Sequence, residues 1–285
     1  MKTLFLWCAV GFAVMQIGPL ASADTAARTN RPVRLAIVFA PVLSGLINDL
    51  IDDFRKESGL EVETVSGMDI YERARAGDAD IVISHCGFGE VERFIKDGYG
   101  RWPRLVFANQ MVLIGPPTDP AHIQDAKSAI EAFRRLAETK STFIPNDLPV
   151  VMNLTDYLWE GAGRPDKEGW YLNSGESKGR AVKLAEEKGG YVIWGAEPFL
   201  QFVQKHDTKM QILFASDPIL QRVMCSVVVD PGKVPGANAE NATAFEKYLL
   251  SPRAQARVAA FRAPGASGLQ LWWPAALHND SGAAQ

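Results

Sequence analysis

Cysteine, histidine and clustered charge are scarce in this sequence. Three cysteines and four histidines stand among 285 residues. No C-x-x-C pair and no H-x-x-x-H spacing occurs among them, so the ligand patterns of zinc sites are missing. Thirty basic residues face 33 acidic ones, for a net charge of −3, and no block of one sign interrupts the mixture. That balance offers no electrostatic footprint for nucleic acid, which is excluded as a partner. Beyond the first residues no apolar run approaches the roughly 20 residues needed to span a bilayer. What remains, at 47% hydrophobic and 22% charged residues, is ordinary globular material rather than disorder or coiled coil, large enough for one big domain or two lobes.

The first residues differ from the rest. Lys2 precedes an apolar run from Leu4 to Ile17, Gly18 and Pro19 break it, and Ala21-Ser22-Ala23 supplies small residues. This is the pattern of a signal peptide over residues 1–23, cleaved after Ala23. The run is too short for a membrane anchor, and Cys8 has no lipoprotein context. The expected product is periplasmic and does not span a membrane. Its two cysteines, Cys86 and Cys225, then meet an oxidising compartment. Either a disulfide or two separately buried thiols is compatible with their spacing.

Periodicity alternates along the chain. "VRLAIVFA" is an apolar strand run, and in "SGLINDLIDDFRKESG" the residues Leu46, Ile47, Leu50, Ile51 and Phe54 recur at helical spacing. Ser44 is the expected N-cap of that helix and Gly59 its stop. Strand, helix, strand, helix and strand continue through "DADIVISHCGFGE", and a second α/β run follows "RLVFANQMVLIGPP". The predicted fold is α/β: two lobes joined by crossover strands, with a cleft between them. Lobe 1 takes residues 24–111 and 223–285, and lobe 2 residues 112–222. Ligands of such sheets bind beyond the carboxyl ends of strands. The strand-end segments "FAPVLSG", "SHCGFGE", "IPNDLPVVMN" and "WGAEP" should therefore face one crevice.

The order of segments carries a resemblance. "ADIVISHCGFGEVERFIKDGYG", "VLIGPPTDPAHIQDAKSAIEAFRRLAE", "GWYLNSGESKGRAVKLAEEKGGYVIWGAEPFLQF" and the later "LLSPRAQ" resemble the tungstate-binding family of periplasmic solute-binding proteins, which have the type II fold. The likeness covers nearly the whole chain after the signal peptide. It implies capture of a small ligand, with a tungstate- or molybdate-type oxyanion the leading candidate, and delivery to an ABC permease by a monomer without catalysis or cofactor. The alternative implied by the fold is a periplasmic sensor or accessory binding protein for a small organic or weakly charged ligand.

Two loops depart from the family pattern. A hydroxyl-rich Thr-Thr-Ser type loop is replaced by Val38, Phe39, Ala40 and Pro41, leaving Ser44 as the nearest hydroxyl. An Arg-Gly-Asp-Asp-Ser-Gly-Thr run is replaced by Pro145 to Met152, with Asp147 as its charged member. A desolvated dianion needs several donors, and an ionised Asp147 in the cleft would repel it. The residues expected to form the ligand site are Phe39, Ser44, His85, Cys86, Gly87, Asn146, Asp147, Met152, Asn153, Ser177 and Trp194. Neighbouring side chains on an extended segment point opposite ways, so His85 and Cys86 are read as a pocket rim, with Gly87 allowing backbone amides close to a ligand. Neither a metal site nor a catalytic thiol is assigned to them.

Overall fold

The computed structural model describes residues 31–262 and 270–279. The predicted signal peptide and its cleavage site lie outside the described residues. In the first lobe, β1 (Val33–Ile37) lies between β2 (Val62–Ser66) and β3 (Ile81–His85), parallel to both. The connection from β1 to β2 contains α2 (Leu46–Ser58), that from β2 to β3 contains α3 (Ile70–Ala76), and α4 (Gly89–Lys96) follows β3. Leu46, Ile47, Leu50 and Phe54 of α2 are buried as their spacing predicts. The helix stops at Gly59, whose φ of +73° is the left-handed turn that glycine adopts without a Cβ clash.

The segment after β1 is not an open loop. Phe39–Leu43 forms the single-turn helix α1, Ser44 closes its carboxyl end, and Gly45 rather than Ser44 occupies the N-cap of α2. The reason lies far away in the chain, where the Trp272 indole N–H donates to Ser44 Oγ at 3.1 Å and holds the hydroxyl inside the lobe.

Two strands carry the chain between lobes. The first half of β4 (Arg104–Gly115) pairs antiparallel with β8 (Gln221–Val228), from Arg104 opposite Ser226 to Gln110 opposite Gln221. The second half turns to β6 (Tyr191–Gly195), from Met111 opposite Gly195 to Ile114 opposite Val192, and to β7 (Gln211–Phe214). On its other edge β8 pairs with β3, setting His85 opposite Met224. The resulting path is β2-β1-β3-β8-β4-β6-β5, where β5 is Phe143–Ile144.

Alternation along β4 builds the second lobe. Met111 and Leu113 join the cluster with Phe133 of α5 (Ala129–Glu138) and Leu158 of α6 (Pro149–Gly161). Val112 and Ile114 join the opposite cluster with Val182 of α7 (Gly179–Glu187) and Phe199 of α8 (Ala196–Lys205). The period of two in the strand thus covers both sheet faces with helices. The chain ends back on lobe 1 with α9 (Ala239–Leu250), α10 (Pro252–Ala260) and the short β9 (Trp273–Pro274) beside β4. Phe245 of α9 meets Phe54 of α2 edge-on at 5.1 Å, a contact contributing about 0.5–1.5 kcal/mol beyond its buried area.

Candidate functional site

A cavity of about 370 Å³ opens between the lobes. Lobe 1 contributes Val38 after β1, Gly67 and Met68 after β2, and Gly87 to Glu90 after β3; lobe 2 contributes Pro149, Val150 and Asn153. These three belong to the first turns of α6, which starts at Pro149. Proline suits that position because its missing N–H would have had no helical partner. The walls are therefore mostly apolar.

The floor is polar, and Arg222 is its charged member. Arg222 stands near the start of β8 opposite Asn109 of β4. It is half-buried, and among the described residues its guanidinium has neither an ion pair nor a hydrogen bond. Burial pulls its pKa below the ordinary arginine value, yet a guanidinium stays protonated in water at neutral pH. A Cβ added to Gly87 would lie 3.8 Å from Arg222 Nη2, so the cation reaches up to the glycine rim.

His85 lies beside this floor, bonded to Asn109 and not among the residues that line the cavity. Its Nε2 is 3.3 Å from Asn109 Oδ1, its ring lies 5.4 Å from that of Phe88, and its Nδ1 is buried without a partner. Burial, aided by the Arg222 charge, pushes the imidazole pKa down to about 4. The ring is neutral at pH 7, in the tautomer that donates from Nε2 to the Asn109 carbonyl oxygen.

Cys86 turns to the other face of β3. Its N–H donates to Val223 O at 3.0 Å, while Cys225 pairs with Ser84 on the same ladder. Both cysteines are free thiols. They hydrogen-bond to each other, which lowers the pKa of half-buried Cys86 and raises that of buried Cys225. Among the described residues no three His, Cys, Asp or Glu side chains converge to hold a metal ion, and no helix is long and apolar enough to cross a membrane.

The other expected site residues scatter. Gly87 and Asn153 line the cleft directly, and Phe39 is exposed on α1, immediately after Val38 of the cleft wall. Ser44 is buried against Trp272 and borders a separate cavity of about 330 Å³ between α1, α2 and α8. Asn146 is fully buried: its Oδ1 accepts from the Lys178 N–H at 2.7 Å, and its Nδ2 has no partner. Asp147 is exposed and Met152 half-buried, neither among the residues lining this cavity. Ser177 and Trp194 line a groove in lobe 2 with Lys178, Lys183 and Lys205.

Arg222 and Asn109 were missed by reading the loops alone. The available signal was a lone arginine opening an otherwise apolar strand, "QRVMCSVVV". One more titratable group sits between the lobes. Glu197 of α8 is buried beside the α1–α2 turn, accepts from Gln201 Nε2 at 2.5 Å, and is pushed up to about 7 by burial.

Comparison with known proteins agrees with this architecture. A protein of Haloferax volcanii named for ABC-transporter anion binding is 31% identical over 256 residues, 87% of this chain and 73% of its own. The tungstate-binding protein TupA of Peptoclostridium acidaminophilum is 28% identical over 221 residues, 75% of this chain and 76% of its own. The solved TupA of Desulfovibrio alaskensis shares the two-lobed fold, with a TM-score of 0.74 at 24% identity, covering 86% of this chain and all of the other. The family model for bacterial extracellular solute-binding proteins matches residues 35–261, and the chain belongs to that family.

Proposed function

We propose that this protein captures an oxyanion in its interlobe cleft and delivers it to an ABC-transporter permease. The observation that carries the reading is Arg222, a half-buried cation on the cleft floor with no partner among the described residues. Holding an unpaired charge out of water is costly, and an anionic ligand offsets that cost on entry. Gly87 and Gly89 border the same cavity, where their N–H groups can add donors, because no side chain stands in the way. Tungstate, named for the Peptoclostridium relative, and its analogue molybdate are the first oxyanions to test.

In this reading the chain is exported to the periplasm, cleaved after Ala23, and works as a monomer that binds without catalysis. Residues 24–111 and 223–285 move against residues 112–222 about β4 and β8, so that closure sequesters the ligand and forms the permease-docking surface. Gly87, Asn153 and His85 serve the site among the residues singled out from the sequence, with Arg222 and Asn109 added. Thermal-shift titration with tungstate, molybdate, sulfate and phosphate tests the reading. An anion at 100 times its Kd stabilises the fold by about 2.7 kcal/mol, and the shift should vanish in R222A. A response retained in R222A would contradict it.

A further inference from the structure

Two guanidinium groups reach the same glycine rim. A Cβ built on Gly87 would lie 3.8 Å from Arg222 Nη2, and one built on Gly89 would lie 3.8 Å from Arg93 Nη2. Both arginines border the interlobe cavity, Arg222 from β8 and Arg93 from α4. Between them the chain turns into α4, with Phe88 at its N-cap. The N–H groups of Gly87, Gly89 and Glu90 find no backbone acceptor among the described residues, as expected where a helix opens.

Arg93 is only partly committed. Its Nη1 meets Glu90 Oε1 at 3.0 Å, while its Nη2 is the atom beside Gly89. The other Glu90 oxygen, Oε2, is held by Arg75 Nη2 at 3.3 Å. Arg75 is fixed in turn over the rings of Phe94 and Tyr99, at 5.5 and 5.8 Å. Two cations thus share one carboxylate, and one positive charge is left over at the rim. The Arg93 side chain is 71% exposed, so it can turn toward the cavity while Arg75 keeps Glu90 paired.

We propose that Arg93 is the specificity-determining second cation of the cleft, the residue that reads whether a bound anion carries one charge or two. The inference rests on the anion-binding reading above and deepens it. Arg222 answers the first charge from the floor. A second charge would otherwise be desolvated and unpaired, and the surplus of the Arg75–Glu90–Arg93 cluster answers it, with Arg93 Nη2 and the rim N–H groups as donors. A monoanion makes no such demand, and Arg93 then stays in solvent beside Glu90.

Tungstate and perrhenate isolate this effect, because both are tetrahedral oxyanions of similar size that differ by one unit of charge; sulfate and perchlorate form a second such pair. The test is calorimetric titration of all four into the full chain at one ionic strength, as wild type, R93A, R93Q, R222A and K96A. R93A and R93Q should each weaken tungstate by about tenfold, the loss of one charge-assisted hydrogen bond, and perrhenate by about twofold at most. R222A should weaken both anions. Lys96 stands on the same helix, 72% exposed and paired with Glu92, away from the cavity lining, so K96A removes a charge of the same sign and should leave both affinities unchanged. Wild-type tungstate affinity in R93A, equal losses for the two members of a pair, or a K96A loss as large as that of R93A would overturn the role of Arg93 and leave the anion reading standing. Silence toward all four anions, or an R222A that binds them as wild type does, would overturn both.

Discussion

The walls of the cleft come from strand ends and the first turns of helices, and present Val38, Met68, Phe88, Pro149 and Val150; its floor comes from the crossover region and presents Arg222, with Asn109 opposite it in the ladder and His85 bonded to Asn109. The two differ in how firmly they are fixed. Wall residues stand on connections that can change without disturbing a ladder. Arg222 and Asn109 sit opposite each other in the β4–β8 ladder, and His85 is opposite Met224 in the next one. A charge mounted there keeps its place while the strand-end segments vary, and it lies where the two lobes join. On the proposed reading, recognition depends on the floor for charge and on the walls for shape.

Removing the floor's charge should have the largest effect. R222A is expected to weaken anion binding by about a hundredfold or more, since truncating one partner of a buried charge pair costs roughly 2–5 kcal/mol. The same variant should unfold at a higher temperature than the unliganded wild type, because it deletes an unpaired, half-buried charge. R222K keeps the charge without the fork and should fall between the two. Calorimetry and thermal denaturation read all three.

Protonation separates the floor from the interlobe flank. Unfolded His85 titrates near its ordinary value of 6.5, while in the fold it titrates near 4. Between these values the unfolded chain binds more protons, so this term is fully present above pH 6.5 and is lost as pH falls toward 4. It amounts to roughly 3 kcal/mol. Glu197 acts in the opposite sense, moving from 4.5 in the unfolded chain to about 7 in the fold. Its contribution is full below pH 4.5 and is lost as pH rises toward 7. Melting temperatures should show H85Q losing stability as pH rises from 4.5 to 6.5, and E197Q gaining it. Parallel slopes in the two variants would remove the contrast.

Smaller effects concern the walls and the thiols. V150S should change anion affinity severalfold at most, because it alters apolar contact and leaves Arg222 in place. Cys86 is half-buried and the more acidic thiol, whereas Cys225 is buried. Brief alkylation of the native protein should label Cys86 first, and mass spectrometry should find Cys225 modified only after unfolding. Equal labelling rates would contradict the difference in burial.

Local pattern accounts for the α/β alternation, because strand and helix periods are written in neighbouring residues. The run "LINDLIDDF" becomes α2 with its apolar stripe inward, and Gly59 ends it. What local pattern does not hold is the partner across a long loop. Ser44 looks like a free hydroxyl until Trp272, 228 residues away, is found donating to it. Asn146 looks like a ligand donor until its Oδ1 is seen holding the Lys178 amide. Arg222 becomes a cleft residue only through the pairing of β8 with β3 and β4. Its charge in a strand was visible, but the place to which that strand delivers it was not.

The most direct test of the floor as the seat of recognition is calorimetric titration of the tightest-binding anion into wild type, R222A and V150S. The account predicts that R222A loses the binding heat while remaining folded, and that V150S keeps it with a modest loss of affinity. Wild-type affinity in R222A, or loss of all binding in a folded V150S, would place recognition in the walls and contradict the account.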